Sequence, residues 1–337
     1  MSRHRHSKKD KLKIIRAVGI VLAALVLCGA GLKVIDLWEN RQSAPIPSAG
    51  ESNQSESAVV AESSVVYGDE EYVFNKDVET FLVLGLDGNG DSVGTKQADF
   101  VLLFVIDNAN KTYTPIQISR DTMVDMKVLD ITGTKVIDRV KQQIALAHSY
   151  GNGKERSCRN VAESVSSLLL GMPIGHYLSV TMDAVAVYND YLGGVEVEVL
   201  EDFTGVDDSL VKGETVTLMG NSALMYVRAR QGLDDPSNEN RMARQRQYLN
   251  ALYEKSRAAA AENDGFEAEA LSKIIGYTVS DCSLNKLQTL FEKVSAYEMK
   301  DIISLKGESR KGEQYMEFYP DEEFLEKTVI ELFYLPQ

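Results

Sequence analysis

Only three cysteines, four histidines, one tryptophan and seven prolines occur among the 337 residues. So few cysteines exclude a scaffold built on disulfides. His4 and His6 fall in the first ten residues, which leaves His148 and His176 for the rest of the chain. With no His-Glu-x-x-His pattern present, both rings read as structural, and a zinc peptidase or histidine-based triad has little to be built from. Basic charge is equally scarce beyond the start. Residues 1–36 carry eight Lys/Arg against two acids, so the remainder holds 28 bases against 48 acids, a net −20 in a chain of −14. Non-specific nucleic-acid binding needs clustered Lys/Arg, so no nucleic-acid partner is expected. Such a body can still hold one small pocket basic enough for a phosphate group. A hydrophobic content of 44% is ordinary for a globular chain with a sizeable core.

Long apolar runs are also rare: one stands out. Ala17–Leu32 carries no charge, and with Arg16 and Lys33 snorkelling the stretch extends from Ile14 to Leu37, matching the roughly 20 residues of a bilayer-spanning helix. A basic tail (residues 1–16) precedes it, so the positive-inside rule predicts a single-pass anchor over 17–37 with a cytoplasmic N-terminus and an extracellular body. The segment is too long for a cleaved signal peptide, and Leu27 before Cys28 disfavours lipoprotein processing. Residues 38–70 follow as a flexible stalk, Ser/Pro/Gly/Glu-rich from Arg41 to Ser64. The body is then 71–337.

Within it, Phe81–Leu86, Phe100–Asp107 and Thr112–Ser119 read as strands, the last two joined as a hairpin through Asn108-Ala109-Asn110-Lys111. Their continuous apolarity suggests a sheet covered on both faces. Helices are expected over Val140–His148, Cys158–Leu170, Asp183–Tyr191, Leu218–Arg228, Arg241–Ala261, Glu267–Ile275, Leu284–Tyr297 and after Asp321. Further strands are expected at Tyr177–Thr181, Val195–Leu200, Asp301–Leu305 and Gln314–Phe318. This alternation predicts an α/β fold, a three-layer α-β-α sandwich with a central mixed sheet. Cys158 and Cys282 could pair or be two small core residues; the sequence leaves both open. The apolar stretches Val161–Leu170 and Val185–Leu192 read as core or as the lining of a lipid groove.

Two acids mark strand ends, where sites collect: Asp87 closes FLVLGLD and Asp99 opens DFVLLFVID. Paired carboxylates suit Mg²⁺, which also takes substrate phosphate oxygens, whereas Asp87 alone reads better as turn chemistry. Arginines cluster oddly for so acidic a body: Arg120 in SRDT, Arg228 and Arg230 in YVRAR, and Arg241, Arg244 and Arg246 in RMARQRQYL at a helix start. Guanidinium forks match phosphate oxygens, and a helix N-terminus adds favourable dipoles.

In order, the segments FLVLGLD, ADFVLLFVID, PIQISRDTMV, LAHSYGNG, LLLGMPIGHYLSVTMDA, LGGVEVEV, LMGNSALMYVRAR and NRMARQRQYL resemble the LytR-CpsA-Psr family of Gram-positive envelope proteins. They cover the core motifs, 78–253, with 254–337 as a C-terminal extension. The resemblance implies transfer of an anionic glycopolymer from an undecaprenyl-pyrophosphate carrier in the cell membrane to peptidoglycan, as a phosphodiester at a MurNAc 6-hydroxyl, with Mg²⁺ as cofactor. It implies Asp87 and Asp99 as metal ligands. Arg120, Asp121, Arg228, Arg230 and Arg241 are the implied catalytic residues, and Arg120, Arg228, Arg230, Arg241, Arg244 and Gln245 the implied pyrophosphate grip. Two positions depart from the family pattern, Gln97 where Arg is common and Asn238 where Asp is common. A lipid-pyrophosphate phosphatase and a non-catalytic envelope regulator are the alternative functions.

Overall fold

The computed structural model describes residues 64–337, apart from 88–95, 182, 231, 234–236, 264–265, 296 and 314. The expected tail, the anchor over 17–37 and most of the stalk lie outside the described residues. Among the described residues, no helix is long and apolar enough to cross a membrane.

In chain order the strands begin with β1 (Ser64–Tyr67), β2 (Glu70–Phe74), β3 (Val78–Asp87), β4 (Gln97–Asp107) and β5 (Thr112–Ile118). A hairpin of β6 (Met123–Leu129) and β7 (Val136–Gln143) follows, then α1 (Glu155–Leu168), β8 (His176–Thr181) and α2 (Asp183–Tyr191). Next come β9 (Val195–Glu198), β10 (Thr215–Leu218), α3 (Gly220–Arg228), α4 (Asn238–Glu262) and α5 (Phe266–Ile274). The chain closes with β11 (Thr278–Ser280), α6 (Leu284–Ser295), β12 (Glu298–Met299), β13 (Ile303–Ser304), β14 (Gly307–Lys311), β15 (Met316–Pro320), α7 (Glu322–Phe333) and β16 (Tyr334–Pro336).

The central sheet runs β11-β8-β3-β4-β5-β12, with β13 also on β5. It is mixed: β3 pairs antiparallel with β4 and parallel with β8, and β12 and β13 lie parallel to β5. Successive side chains of a strand point to opposite faces, and both faces of β3 are covered. Phe81 and Val83 pack with Tyr188 of α2, Tyr226 of α3, Leu252 of α4 and Ala270 of α5. Leu82, Leu84 and Leu86 pack with Val161 and Val165 of α1 and Val329 and Phe333 of α7. The three-layer α-β-α expectation therefore holds, as does the β4–β5 hairpin.

Local signals explain most boundaries. Ser237 caps α4 by accepting from Asn240 N, and Asp321 caps α7 by accepting from Phe324 N. α2 ends at Gly193-Gly194; Gly194 has φ +85°, and a Cβ there would lie 2.4 Å from Met219 Sδ, so only glycine fits. One expected helix is absent. Val140–His148 splits into the end of β7 and a 3-10 turn, Ile144–Ser149, because antiparallel pairing with β6 carries the extended backbone through Gln143. The strand expected over Asp301–Leu305 shrinks to Ile303–Ser304, the only two of these residues that pair with β5. Cys158 and Cys282 are both free thiols.

Candidate active site

A β-bulge sets the first carboxylate. In the β3–β4 ladder Gly85 pairs with Phe100 and Leu86 with Ala98, so Asp99 is the extra residue. Bulges re-aim side chains, and this one places Asp99, 9% exposed, between two guanidinium groups. Arg120 Nη1 lies 2.5 Å from Asp99 Oδ1, and Arg241 Nη1 lies 3.4 Å from Oδ2. Arg120 follows β5, and Arg241 comes from the first turn of α4, so three segments converge.

Asp121 is the second buried carboxylate. Gln143 Nε2 donates to its Oδ1 at 3.0 Å, Arg120 Nε is 3.5 Å from Oδ1, and Arg230 Nη1 is 3.6 Å from Oδ2. Burial raises the Asp121 carboxyl above the usual carboxylate range, against the opposing pull of Arg120, Arg230 and Arg241. Burial likewise lowers Arg241 to about 10, with Asp99 pulling it back up. Arginine stays charged at that value. Three guanidinium groups thus face two carboxylates, and Arg120 Nε and Arg241 Nε are buried with no hydrogen-bond partner. Unanswered buried donors beside an excess of positive charge make an anion site.

The two departures from the family pattern keep hydrogen bonds while losing charge. Gln97 Oε1 accepts from Arg120 Nη2. Asn238 Oδ1 accepts from Arg241 Nη2 at 2.5 Å, while its Nδ2 donates to Ser119 Oγ at 2.6 Å. Gln143 and Ser119 escaped the sequence analysis; neither type at a strand end carries a distinguishing signal.

The remaining expected residues lie on the elements around this cluster. Asp87 ends β3 opposite Gln97, at the same sheet end as Asp99. Arg228 closes α3, and Gln245 Nε2 donates to Val227 O at 3.2 Å. Arg244 turns elsewhere: it is 1% exposed, pairs with Glu201, donates to Tyr226 O at 2.9 Å and to Ala229 O, and stacks on Phe203. None of its donors is directed to Asp99 or Asp121. It ties α4 to the segment that carries Arg230. The stretch Gly90-Asp91-Ser92-Val93-Gly94 has the spacing of a hydrolase nucleophile elbow and lies outside the described residues. His148 cannot serve it as a base, since its ring is buried against Lys96 O and Cys158 Sγ.

Beside the charged cluster lies an apolar cavity of about 60 Å³, bounded by Val83, Phe100, Val180, Val185, Leu249 and Leu252. Phe100 adjoins Asp99, and Gln245, also on the wall, is one turn beyond Arg241. Tyr188 and Tyr248 face it without making it polar, because their hydroxyls bond to Ser256 and Asn189. Of the two stretches weighed as lipid-groove lining, Val161 and Val165 are core, whereas Val185 lines this cavity.

Fold and site together describe an α/β sandwich with a buried arginine–aspartate anion site beside an apolar cavity. The signature of the LytR_cpsA_psr family matches residues 45–332, and the chain belongs to that family. It is 31% identical over 188 residues to the polyisoprenyl-teichoic acid–peptidoglycan teichoic acid transferase TagV of Bacillus subtilis (strain 168), covering 54% of this chain and 44% of that protein. It is 24% identical to TagU of Bacillus mycoides (strain KBAB4), covering 71% of this chain and 72% of the relative. Against TagV, then, the match spans less than half the relative's length. Among solved structures, the crystal structure of B. subtilis TagV superposes with a TM-score of 0.57 at 26% identity, covering 76% of this chain and 97% of that one. TagT bound to LI-WTA superposes with a TM-score of 0.56 at 21% identity, covering 76% and 90%.

Proposed function

We propose that this protein is a transferase that moves an anionic glycopolymer from an undecaprenyl-pyrophosphate carrier to peptidoglycan, forming a phosphodiester at a MurNAc 6-hydroxyl. The observation that carries this reading is the adjacency of two unlike sites: a cationic cluster with two unanswered buried N–H groups, and an apolar cavity. A lipid pyrophosphate has that polarity pattern. The names of the relatives, teichoic acid transferases that use peptidoglycan, support the same reaction class.

In this mechanism Arg120, Arg230 and Arg241, with Arg228 closing α3 nearby, bind the pyrophosphate, and Gln245 marks where charged head meets apolar chain. The sugar hydroxyl attacks the glycan-side phosphorus as the P–O bond to the lipid phosphate breaks. Buried guanidinium groups stabilise the charge that builds on the leaving phosphate, and phosphoryl transfer needs little more than this positioning. Asp121, oriented by Gln143 and raised by burial, accepts the hydroxyl proton. Asp99 is a buried carboxylate at the same sheet end as Asp87, and two carboxylates are the hard-oxygen donors Mg²⁺ takes, so Asp99 with Asp87 would hold Mg²⁺. When bound, Mg²⁺ supplies further charge neutralisation at the phosphates. The anchor over 17–37 would keep the protein at the cell membrane with this site outside the cell.

The test incubates the protein with a lipid-pyrophosphate-linked oligosaccharide and a peptidoglycan fragment, with and without Mg²⁺, and seeks the phosphodiester adduct by mass spectrometry. A Mg²⁺-dependent adduct that is lost in Asp99→Ala and Arg120→Ala is expected. Phosphate release without an adduct would point to a phosphatase, and tight binding without turnover to a regulatory protein.

A further inference from the structure

A second cluster of chemistry-bearing side chains lies at the other end of the sheet. β8 pairs with β3 so that His176 stands opposite Phe81, whereas Thr181, at the cavity, stands opposite Leu86 near Asp87. At about 3.3 Å per residue, His176 is therefore some 15–20 Å along the sheet from the anion site. The antiparallel β8–β11 ladder pairs Ser280 with Leu178, and continuing that register brings Asp281 beside Tyr177 and Cys282 beside His176. The donor atoms of His176, Asp281 and Cys282 all lie within 4.8 Å of one another.

The details favour a ligand over a plain ion pair. His176 Nδ1 is 3.5 Å from Asp281 Oδ1, too far for a hydrogen bond, and is buried with no partner. That spacing is close to the edge of a zinc tetrahedron, roughly 3.3–3.8 Å for bonds of about 2.0–2.3 Å. The neighbouring backbone is fixed. Tyr177 N donates to Asp281 Oδ1 at 3.1 Å, and Ser280 Oγ donates to Tyr177 O at 2.7 Å while accepting from Cys282 N at 3.1 Å. Cys282 is 4% exposed, whereas His176 also borders a groove of about 500 Å³ beside Thr80, Pro173 and Lys286, which gives access from solvent. Arg159 Nη2 lies 3.9 Å from Asp281 Oδ2, beyond hydrogen-bond distance.

We propose that His176, Asp281 and Cys282 bind one zinc ion, with a fourth position open to water from the groove. Imidazole with thiolate selects a zinc-class metal over Mg²⁺ or Ca²⁺. The ion cross-links β8 to the segment between β11 and α6, and so fastens the three-residue strand β11 at the sheet edge.

The experiment uses the full chain, stripped of metal and titrated with Zn²⁺ and, separately, with Co²⁺. One Zn²⁺ per chain is expected, together with a Co²⁺ thiolate charge-transfer absorption that Zn²⁺ abolishes. Cys282→Ala should remove that absorption and weaken Zn²⁺ binding by tenfold or more. Should that buried substitution prevent folding, His176→Gln at the partly exposed ring decides: with circular dichroism unchanged, it should weaken Zn²⁺ binding to the same extent. The proposal is overturned by the absence of a thiolate band, by a band that survives in folded Cys282→Ala, or by undiminished Zn²⁺ binding in His176→Gln. The last result would assign the metal to the histidines of the leader.

Discussion

Replacing Arg244 with methionine separates two roles that the sequence and the structure assign to the same residue. As a phosphate ligand it would face the substrate; in the structure it is 1% exposed, paired with Glu201, bonded to the Tyr226 and Ala229 carbonyls and stacked on Phe203. Removing one member of a buried ion pair costs about 3–5 kcal/mol, since the other is left charged in a medium that solvates it poorly. Glu201 is 9% exposed and would retain Asn240 as a hydrogen-bond donor but lose its charge partner, so the loss belongs in that range. At about 2–4 °C per kcal/mol for a body of this size, the melting midpoint should fall by roughly 6–20 °C. The double variant Arg244→Met/Glu201→Leu removes both charges and should regain most of the loss. Urea unfolding of the wild type and the variants measures this, and a melt with added inorganic pyrophosphate reports anion binding. A loss below about 1 kcal/mol together with vanished stabilisation by pyrophosphate would refute the strut and return Arg244 to the anion site.

Four further outcomes are expected. Arg120→Lys keeps the charge but loses the fork and the free Nε, so kcat should drop by roughly 10²–10³, the scale of a lost oxyanion donor, with KM moving less. His148 is pulled down to about 4 by burial, so the stability of its neutral form is complete above its unfolded value near 6.5 and is lost as pH falls through 4. That loss amounts to about 3 kcal/mol, read by urea unfolding at several pH values and absent in His148→Asn. Asp121 has the opposite sign: its raised value makes stability fall as pH rises from about 4, and Asp121→Asn should flatten that fall. Val185→Trp should fill the apolar cavity, sharply reducing turnover of long-chain lipid substrates while sparing short-chain analogues and the melting midpoint.

The layers of this fold were legible because each central strand is apolar on both faces, and a run such as FLVLGL can be satisfied only by packing above and below. The helix start after Asp321 and the stop at Gly193-Gly194 were legible for local reasons, since capping and positive φ act within a turn, whereas the helix expected from Arg241 begins at Asn238, capped by Ser237. The stretch Val140–His148 was not, because the spacing of Val140, Ile144 and Ala147 imitates a helix face while the decisive partner, β6, lies elsewhere in sequence. Residue type identified the site arginines as unusual in an acidic body. It could not separate Arg241 from Arg244: both stand in the first turns of α4, yet one reaches Asp99 and the other Glu201. The side chains of a long residue diverge by several ångströms over a small rotation about the helix axis, and only tertiary contacts decide which way each goes.

The bulge at Asp99 shows why the charge balance of the site, more than any single residue, marks it as functional. A carboxylate held by two guanidinium groups would be a finished structural ion pair if every donor were matched. Here Arg120 serves Asp99 and Gln97 through its Nη atoms and leaves its Nε 3.5 Å from Asp121 without a hydrogen bond, while Arg241 serves Asp99 and Asn238 and leaves its buried Nε unbonded. Gln97 and Asn238 accept these hydrogen bonds without changing the local charge. An arginine at 97 would add to the positive excess, and an aspartate at 238 would cancel part of it. The two departures from the family pattern therefore offset one another in charge and leave the excess of one guanidinium intact. A fold stabilised for its own sake would have no reason to keep desolvated donors unanswered beside an apolar cavity; a site awaiting an anionic head on an apolar chain does.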